Sequence, residues 1–382
     1  MGKRELLLAA AFVIVGALVY QATAPAADPS RPGWSISGIV ERMRREVRGN
    51  QAQAQTTNSS TIPAPESLRE IRIVVGSVNV TVIGEERNDI QSELAVTSNA
   101  YDAAEAERTA KATVLKLDEA GPVLRVSIDF PAEGRQRASL SLRVPSRLEV
   151  RVEKNNSLEV SNVASLVVEG RGETTVKAIA GTVQADQRGS TIKLTDIGPL
   201  RLTTLSGAEA NVSNVRGDAN FSLQGGELRA EEIDGSIEIE SRNSDIKLEK
   251  LEKLRRPIRI HANGGEVALL GVQTETRIDG RETDIRVEQA GAAPLSIYNE
   301  GNETVELTLP PDGFKIDAVT VDGRLTIDSA LEKLGVKVTG ANSQGGDSGS
   351  AREEYRLEAV VRGGGPTITI RASRGDIVLR SK

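Results

Sequence analysis

The sequence is poor in the residues that most often carry chemistry. Its 382 residues include no cysteine and one histidine, and aromatic side chains make up 2% of the total. Without cysteine there are no disulfides, thiolate metal sites or cysteine nucleophiles. The single histidine, His261, follows Ile260 in an alternating strand pattern and is predicted to point outward. We therefore expect neither a histidine-based triad nor a multi-histidine metal site.

An excess of basic charge is also lacking. Lys and Arg number 48 against 54 Asp and Glu, and the formal net charge is -6. A mixed surface with few aromatic rings predicts no nucleic-acid partner. The chain is instead rich in glycine, with 36 residues, and in Val, Ile, Leu, Thr and Ser. This composition is typical of stacked strands with aliphatic interiors and frequent turns.

The first residues resemble an export signal. Lys3 and Arg4 precede an uninterrupted apolar run of fifteen residues, LLLAAAFVIVGALVY, from Leu6 to Tyr20. The run is shorter than the roughly 20 residues of a comfortable membrane span, and Ala22-Thr23-Ala24 suits a signal peptidase. Residues 1–27 are therefore predicted to be either a signal anchor, as a hydrophobic N-terminal helix in the membrane, or a cleaved signal peptide. The remainder would be membrane-anchored outside the cytoplasm, in the periplasm or at the cell surface, or secreted after cleavage.

Residues 28–67 divide into a predicted helix and a predicted linker. Apolar residues recur at helical spacing between Trp34 and Arg48, with four arginines on other positions, which is typical of a basic amphipathic helix. Such a helix either lies on an anionic bilayer, serves as a stalk or packs on the protein. The following segment, QAQAQTTNSSTIPAPE, is polar and low in complexity and is predicted to be a flexible linker.

Residues 68–157 form a predicted strand-rich module. Segments such as IRIVVGSVNVTVIG and VLRVSIDFP alternate with the two-residue period of half-buried strands. Between them, YDAAEAERTAKAT, residues 101–113, is predicted to form one short helix that covers a sheet face. The module leads into the repeat that occupies the rest of the chain.

An eighteen-residue repeat dominates residues 158–382. Its corner positions are Ile179, Ile197, Val215, Ile233 and Leu251, followed after a three-residue insertion by Leu254, Val272 and Ala290. Four and six residues after a corner lie the inward pairs Val183 with Ala185, Ala219 with Phe221, Ile237 with Ile239, and Ile258 with Ile260. Thirteen residues after it lie Ile192, Ala210, Leu228, Ile246, Val267 and Ile285, and fifteen after it lie Leu194, Val212, Ala230, Leu248, Leu269 and Val287. No single repeat closes a core, so the repeats must stack. The predicted fold is all-β, a parallel β-solenoid with 18-residue coils.

Turn residues punctuate each coil. The two strands are separated by residues able to adopt positive φ, namely Gly189, Gly207, Gly225, Asn243 and Gly264, and a second glycine follows the corner at Gly181, Gly217 and Gly235. The segment from Pro199 to Leu202 is slipped by one residue from the inward columns and predicts a local bulge. Arg216-Gly217-Asp218 has the look of an integrin ligand, but its glycine occupies an ordinary corner position.

Two outward columns carry opposite charge. Twelve residues after a corner lie Thr191, Glu209, Glu227, Asp245, Glu266 and Asp284, and fourteen after it lie Lys193, Asn211, Arg229, Lys247, Ala268 and Arg286. These stripes are interpreted either as a docking surface for a cation or polyanion, or as a solvated face whose neighbouring charges offset one another.

Candidate catalytic residues are few. Enzymes with a parallel β-helix use clustered carboxylates, for which Glu238 with Glu240 and Glu227 with Asp245 are candidate pairs. Both pairs belong to regular ladders, and a sugar cleft without aromatic platforms would be unusual. The glycine-rich stretches GANSQGGDSGS and GGG lack the context of a phosphate loop. The sequence therefore predicts a protein that is not an enzyme, with no catalytic, cofactor-binding or metal site.

The C-terminal stretch GGGPTITIRASRGDIVLR contains two alternating strands around a small polar turn. Together with the glycine-punctuated strands of residues 158–310, it resembles the bacterial adhesin-like proteins, a β-strand-repeat family grouped under a domain of unknown function. The resemblance covers about residues 68–382 and implies an exported or membrane-tethered β-solenoid. We predict a cell-envelope protein that presents an extended surface for adhesion or for interaction with an envelope protein or polysaccharide. The alternatives are a carbohydrate-active β-helix enzyme and a sensor or scaffold domain of an envelope-stress system.

Overall fold

The computed structural model describes residues 52–131, 135–153, 155–339 and 353–382. Strands make up 64% of the described residues and helices 6%, which confirms the all-β prediction. The predicted membrane segment of residues 1–27 and the amphipathic helix between Trp34 and Arg48 lie outside the described residues. Within the described residues, no helix has both the length and the hydrophobicity needed to cross a bilayer.

Within the described residues, seven strands and one helix precede the regular repeat. They are β1 (Ala52–Pro63), β2 (Glu70–Val74), β3 (Asn79–Glu85), β4 (Asp89–Ala100), α1 (Ala103–Ala112), β5 (Val114–Ala120), β6 (Val123–Asp129) and β7 (Arg135–Pro145). Helix α1 confirms the helix predicted over residues 101–113. Asp102 caps it by accepting a hydrogen bond from the Glu105 N–H at 2.8 Å.

Strand β1 corrects the prediction of a flexible linker after residue 50. It lies at the edge of a sheet, beside β4, and most of its side chains are exposed. An edge strand is held by backbone hydrogen bonds to one neighbour and needs no apolar inner face, so a polar sequence can form it. The hydroxyl of Ser92 in β4 also donates to the Ser60 carbonyl at 3.3 Å.

The regular coils contribute alternately to two sheets. Their strands are β8 (Glu149–Glu153), β9 (Ser157–Ser161), β10 (Ser165–Gly170), β11 (Glu173–Ile179), β12 (Val183–Arg188), β13 (Thr191–Ile197), β14 (Leu200–Leu205), β15 (Glu209–Val215), β16 (Ala219–Gln224), β17 (Glu227–Ile233), β18 (Ile237–Arg242), β19 (Asp245–Glu249), β20 (Ile258–Asn263), β21 (Glu266–Val272), β22 (Thr276–Arg281), β23 (Asp284–Gln289), β24 (Leu295–Glu300) and β25 (Val305–Leu309). A 3-10 turn, η1 (Leu251–Lys253), follows β19 and accounts for the predicted insertion. The odd-numbered strands of this series lie in sheet A and the even-numbered strands in sheet B.

The C-terminal elements complete both sheets. They are β26 (Phe314–Val321), β27 (Leu325–Ile327), α2 (Ser329–Lys333), β28 (Glu354–Val361), β29 (Thr367–Ala372) and β30 (Ile377–Ser381). Each sheet then has fifteen strands. In sheet A, strands β11 to β19 pair in parallel with residues eighteen apart opposite one another, as Glu227 lies between Glu209 and Asp245. The eighteen-residue register is therefore confirmed, and the two long, mostly parallel sheets form a β-solenoid-like fold.

Inward alternation supplies the core. Every residue assigned above to an inward column is at most 3% exposed, and so is every corner residue except Ala290. At that last corner Gln289 is buried instead, with 0% exposure. Gly271, with φ of 86°, is a residue of β21 that has no partner in β23. Val272 therefore pairs with Gln289, and the inward corner position of β23 comes one residue earlier than predicted. The prediction for Ala290 is therefore wrong by one position.

The bulge predicted from Pro199 to Leu202 is also absent. Leu200 pairs with Val183 on one side and Ala219 on the other in continuous ladders. The one-residue slip in the sequence arises because the preceding corner is one residue shorter, with two residues between Ile197 and Leu200. The following turn has one residue more than the next coil's turn, so the strand itself keeps its register.

The two ends of the solenoid are interleaved. The coil made of β2 and β3 lies between β6 with β7 and β8 with β9. At the other end, β29 and β30 lie between β24 with β25 and β26 with β27, although they come last in the chain. Strand β28 is antiparallel to β26, and Thr339 pairs with Arg356 on its outer edge. These contacts cover part of an edge that would otherwise be open to pairing.

Two compact units are distinguished. The first contains the described parts of residues 1–56, 95–114 and 130–137. The second contains the described parts of residues 57–94, 115–129 and 138–382. All of the regular coils and all of the candidate functional residues belong to the second unit.

Candidate functional site

The outer face of sheet A carries the two charged stripes predicted from the sequence. Residues of each stripe face one another on adjacent strands, as Glu209 and Glu227 do in one stripe and Asn211 and Arg229 in the other. We call the outer face of strands β15 to β23 in sheet A the acidic face. Its carboxylates are Glu209, Glu227, Glu231, Asp245, Glu249, Glu266, Asp284 and Glu288, and its basic side chains are Arg229, Lys247 and Arg286.

Most charges of the acidic face already have partners on it. Arg229 binds Glu227 at 2.6 Å, and Lys247 binds Glu249 at 3.0 Å. Hydrogen bonding to Glu227 and its negative charge raise the pKa of the Arg229 guanidinium. The Asp245 carboxylate accepts a hydrogen bond from the Glu266 N–H at 3.2 Å. This arrangement favours a solvated face whose charges offset one another, since exposed pairs of this kind contribute only about 0–1 kcal/mol each.

The outer face of sheet B has a different composition. We call the outer face of strands β16 to β24 in sheet B the mixed face. It carries the carboxylates Glu238, Glu240, Asp279 and Glu300, the guanidinium groups of Arg242, Arg259, Arg277 and Arg281, and the uncharged or titratable side chains Asn220, Ser222, Gln224, His261, Asn263, Ser296 and Tyr298. Acidic and arginine side chains are therefore equal in number there.

A single column of the mixed face brings several chemical types together. Glu240, His261, Asp279 and Tyr298 are register partners on the adjacent strands β18, β20, β22 and β24. Arg371 on β29 continues the column beside Tyr298. Neighbouring strands lie about 4.8 Å apart, so each side chain is within reach of the next. We call these five residues the central column.

Asp279 is fixed by its neighbours. Arg277 Nε donates to Asp279 Oδ2 at 2.9 Å, and His261 Nδ1 lies 3.3 Å from the same oxygen. The hydrogen bond to Asp279 and its charge raise the pKa of the Arg277 guanidinium. The prediction that His261 points outward is confirmed, since its side chain is 56% exposed. Its contact with Asp279 across two strands was not visible in the sequence.

Arg371, on the other side of Tyr298 from Asp279, is also held by a neighbouring side chain. Its Nη1 donates to the Asp317 carbonyl at 3.0 Å, and its Nη2 binds the Asp317 carboxylate. Tyr298 thus lies between a carboxylate and a guanidinium that both have settled orientations. Its own side chain is 51% exposed.

The carboxylate pairs considered for catalysis lie on open surfaces. Glu238 and Glu240 are exposed on β18, and Glu227 and Asp245 face one another on neighbouring strands of the acidic face. Glu240 lines an open groove of about 470 Å³ with His261 and Asp279, without Glu238, and Glu227 is engaged by Arg229. Among the described residues, no group of three or more His, Asp or Glu side chains could hold a metal ion.

The Arg216-Gly217-Asp218 corner is held within the fold. Asp218 accepts hydrogen bonds from the Ser236 hydroxyl and N–H, each at 2.8 Å, and these bonds lower the pKa of its carboxyl. Arg216 donates to the Asp196 carbonyl at 3.4 Å. These contacts explain the residue types at this corner without a ligand.

A groove of about 800 Å³ lies beside the first regular coils. Its charged lining residues are Glu169, Arg171, Asp186 and Arg188, and it contains no aromatic side chain. Asn155 is 6% exposed there, and neither polar atom of its amide has a hydrogen-bond partner. A Cβ on Gly170 would come within 2.2 Å of the Asn155 Oδ1, so this amide packs directly against Gly170.

Comparison with known proteins gives a loose structural likeness. No family model matches the chain, and no curated protein matches it. A provisionally named cell adhesion protein from Clostridium sporogenes is 10% identical, with 86% of this chain and 100% of that chain covered and a TM-score of 0.20. A provisionally named adhesin from Parabacteroides distasonis is 15% identical, with 66% of this chain and 97% of that chain covered and a TM-score of 0.32. A provisionally named lipid-binding protein from the same organism is 13% identical, with 64% of this chain and 94% of that chain covered and a TM-score of 0.30. Likeness at this level identifies no function.

The sequence did not predict the central column, and the reason is physical. Tyr298 and Arg371 are 73 positions apart in the chain, and only the insertion of β29 beside β24 brings them together. The available signal was an aromatic residue at an outward position, directly after the inward Ile297. Because the surface has so few rings, an aromatic residue at an outward position indicates a candidate binding residue.

Proposed function

We propose that this chain is a non-enzymatic interaction protein of the adhesion type, in which stacked coils display extended polar faces to a partner in the cell envelope. The observation that supports this proposal is the placement of its chemically capable side chains. They lie in regular columns on open sheet faces, over a continuous aliphatic core. A solenoid supplies a rigid and extended surface of this kind without an enclosed cavity.

The same placement weighs against the carbohydrate-active enzyme. Glycoside hydrolysis requires two carboxyl groups at a defined separation on either side of a bound sugar. Glu238 and Glu240 project from the same face of one strand, and Glu227 is paired with Arg229. If catalysis nevertheless occurs, incubation with envelope polysaccharide will release reducing ends, and the Glu227→Gln and Glu240→Gln changes will reduce that release.

The proposal includes export and tethering. The apolar run from Leu6 to Tyr20, preceded by Lys3 and Arg4, supports a membrane tether or an export signal ahead of the coils. The coils would then lie outside the cytoplasm, within reach of envelope proteins and polysaccharides. Mass spectrometry of the mature N-terminus separates the two alternatives, because only a cleaved signal removes this segment.

Binding to isolated bacterial envelopes tests the proposal directly. The full chain, purified in mild detergent, is mixed with washed envelopes that are then sedimented, and the bound fraction is measured against concentration. We expect saturable binding by the native chain and none by chain unfolded before mixing. A native chain that remains in the supernatant at every concentration contradicts an adhesion function.

A further inference from the structure

Tyr298 is an unusual residue for the surface on which it lies. It is 51% exposed and lies in the middle of β24, the last strand of the mixed face. The other large apolar side chains that are clearly exposed in the described residues lie elsewhere: Val114 and Val360 on the edge strands β5 and β28, and Phe130 and Leu334 outside the strands. Tyr298 is therefore the one exposed ring on the regular part of this face, as far as the described residues show.

The phenol has no internal function that accounts for it. Within the described residues, the Tyr298 hydroxyl makes no hydrogen bond, whereas the hydroxyl of Tyr355 donates to Glu353 at 3.1 Å. Its ring is not buried against the core, because its side chain points outward between Ile297 and Asn299. An exposed ring with a free hydroxyl is available to a ligand.

The groups on either side of the ring are already oriented. Asp279 is held by Arg277 and His261, and Arg371 is held by Asp317. Asp279 and Arg371 thus lie on the two strands that flank β24, at a backbone spacing of about 4.8 Å, one on each side of the ring. Groups that are fixed before binding lose little conformational entropy when a ligand arrives.

This combination suits a sugar ring. A pyranose has an apolar face of C–H groups that can lie on an aromatic ring, and equatorial hydroxyls that donate to carboxylates and accept from guanidinium groups. We propose that Tyr298, Asp279 and Arg371 form a subsite for one pyranose unit of an envelope polysaccharide. This inference rests on the proposed adhesion function and names the chemical class of its partner.

A protein partner fits the same surface less well. Protein interfaces have an apolar core of clustered side chains surrounded by a polar rim. The mixed face offers one exposed ring among charged and amide side chains, so no such core can form there. A polysaccharide needs only isolated rings with hydrogen-bonding groups beside them, and successive strands would present further polar side chains along its length.

The test uses envelopes that have been treated with protease, which removes protein ligands and leaves polysaccharide. Binding of the full chain is compared with that of Tyr298→Ala, Tyr298→Phe and Tyr355→Ala. We expect Tyr298→Ala to lower the affinity by roughly 10- to 30-fold, the range of an aromatic hot spot. Tyr298→Phe keeps the ring and should retain most of the affinity, and Tyr355→Ala should bind as the wild type does. Periodate, which cleaves vicinal diols of sugars, should abolish binding of the unchanged chain.

The possible outcomes separate this inference from the broader function. Binding to untreated envelopes that is lost after protease treatment indicates a protein ligand and overturns the inference, while the adhesion function stands. Binding that survives periodate, or that is equal for the wild type and Tyr298→Ala, overturns it as well. Absence of binding to untreated envelopes contradicts both. Equal circular dichroism spectra of the variants will show that a loss of affinity is not a loss of fold.

Discussion

The acidic face and the mixed face stand on the same coils but differ in what they offer a partner. The acidic face has eight carboxylates against three basic side chains, and two of the three basic side chains are paired with carboxylates of the same face. The mixed face has equal numbers of both charges and adds an exposed ring and a histidine. Both faces cover the same buried columns of aliphatic residues. The core therefore determines the fold, and the outward columns are free to differ in chemistry.

The largest loss of stability is expected from a substitution in the core that both faces share. Ile246 is 2% exposed, and Ile246→Asp places a carboxylate among stacked aliphatic side chains. We expect the free energy of unfolding to fall by about 4 kcal/mol or more, because no buried partner is available.

A matched outward change should behave differently. Ala268 lies between Lys247 and Arg286 in neighbouring strands, so Ala268→Asp adds a carboxylate between two basic groups. Its effect on stability should stay within about 0.5 kcal/mol. Denaturant unfolding of both variants measures the difference, and equal losses would refute the assignment of inward and outward columns.

A smaller effect is expected at the corners that connect the two faces. A Cβ on Gly235 would lie 2.1 Å from the Gly217 carbonyl carbon and 2.3 Å from the Asp218 nitrogen. Because backbone atoms must move, Gly235→Ala should cost about 2–3 kcal/mol. Gly207 has φ of 75° with open space around its Cα, so Gly207→Ala should cost only about 1 kcal/mol. Thermal unfolding that ranks these two variants in the reverse order would contradict the tight stacking of corners.

An effect smaller than that of Gly235→Ala is expected at the C-terminal end of sheet A. Asp328 caps α2 by accepting from the Leu331 N–H at 2.9 Å, and its other oxygen accepts from the Ser381 N–H at 2.6 Å. Burial acts to raise the pKa of Asp328, but the hydrogen bonds from Ser381, Leu331 and Ala330 outweigh it, and the pKa is lowered. Asp328→Ala should therefore cost about 1–2 kcal/mol at neutral pH.

The pH dependence has a definite sign. Because the carboxyl of Asp328 has a lower pKa in the folded chain than in the unfolded chain, its contribution is complete above about pH 4. It is lost as the pH falls through the folded value. The stability difference between wild type and Asp328→Ala should shrink on acidification, and Asp328→Asn, which cannot ionise, should show no such pH-dependent contribution. A difference that is independent of pH would show that the charge is not what stabilises this end.

The regular part of the fold could be predicted because its signals are local. Alternation and an eighteen-residue interval identify inward residues such as Ile192 and Leu194 without any knowledge of their neighbours. Gly189 and Asn243 adopt the positive φ predicted for them, with values of 43° and 51°. Each of these signals repeats in consecutive coils, so single exceptions do not hide the pattern.

The exceptions depend on contacts that are distant in the chain. The exchange of Ala290 for Gln289 arises because β23 lacks the positive-φ residue that precedes the corner in the other coils, as Gly271 does in β21. The position of β29 and β30 inside the stack has no local signature, because it is decided by which coil offers unpaired edges. The central column depends on that insertion, so the sequence could indicate Tyr298 as an outward ring but not its contact with Arg371.

The claim that the mixed face, and not the acidic face, binds the envelope is tested most directly by one comparison of variants. Tyr298→Ala changes the mixed face, and the double change Glu209→Gln with Glu266→Gln removes two carboxylates from the acidic face. Both are measured for binding to the same protease-treated envelopes at low and high salt. We expect Tyr298→Ala to lose affinity at both salt concentrations and the double variant to bind as the wild type does. Loss of binding by the double variant, with Tyr298→Ala unaffected, would contradict the assignment of the binding face.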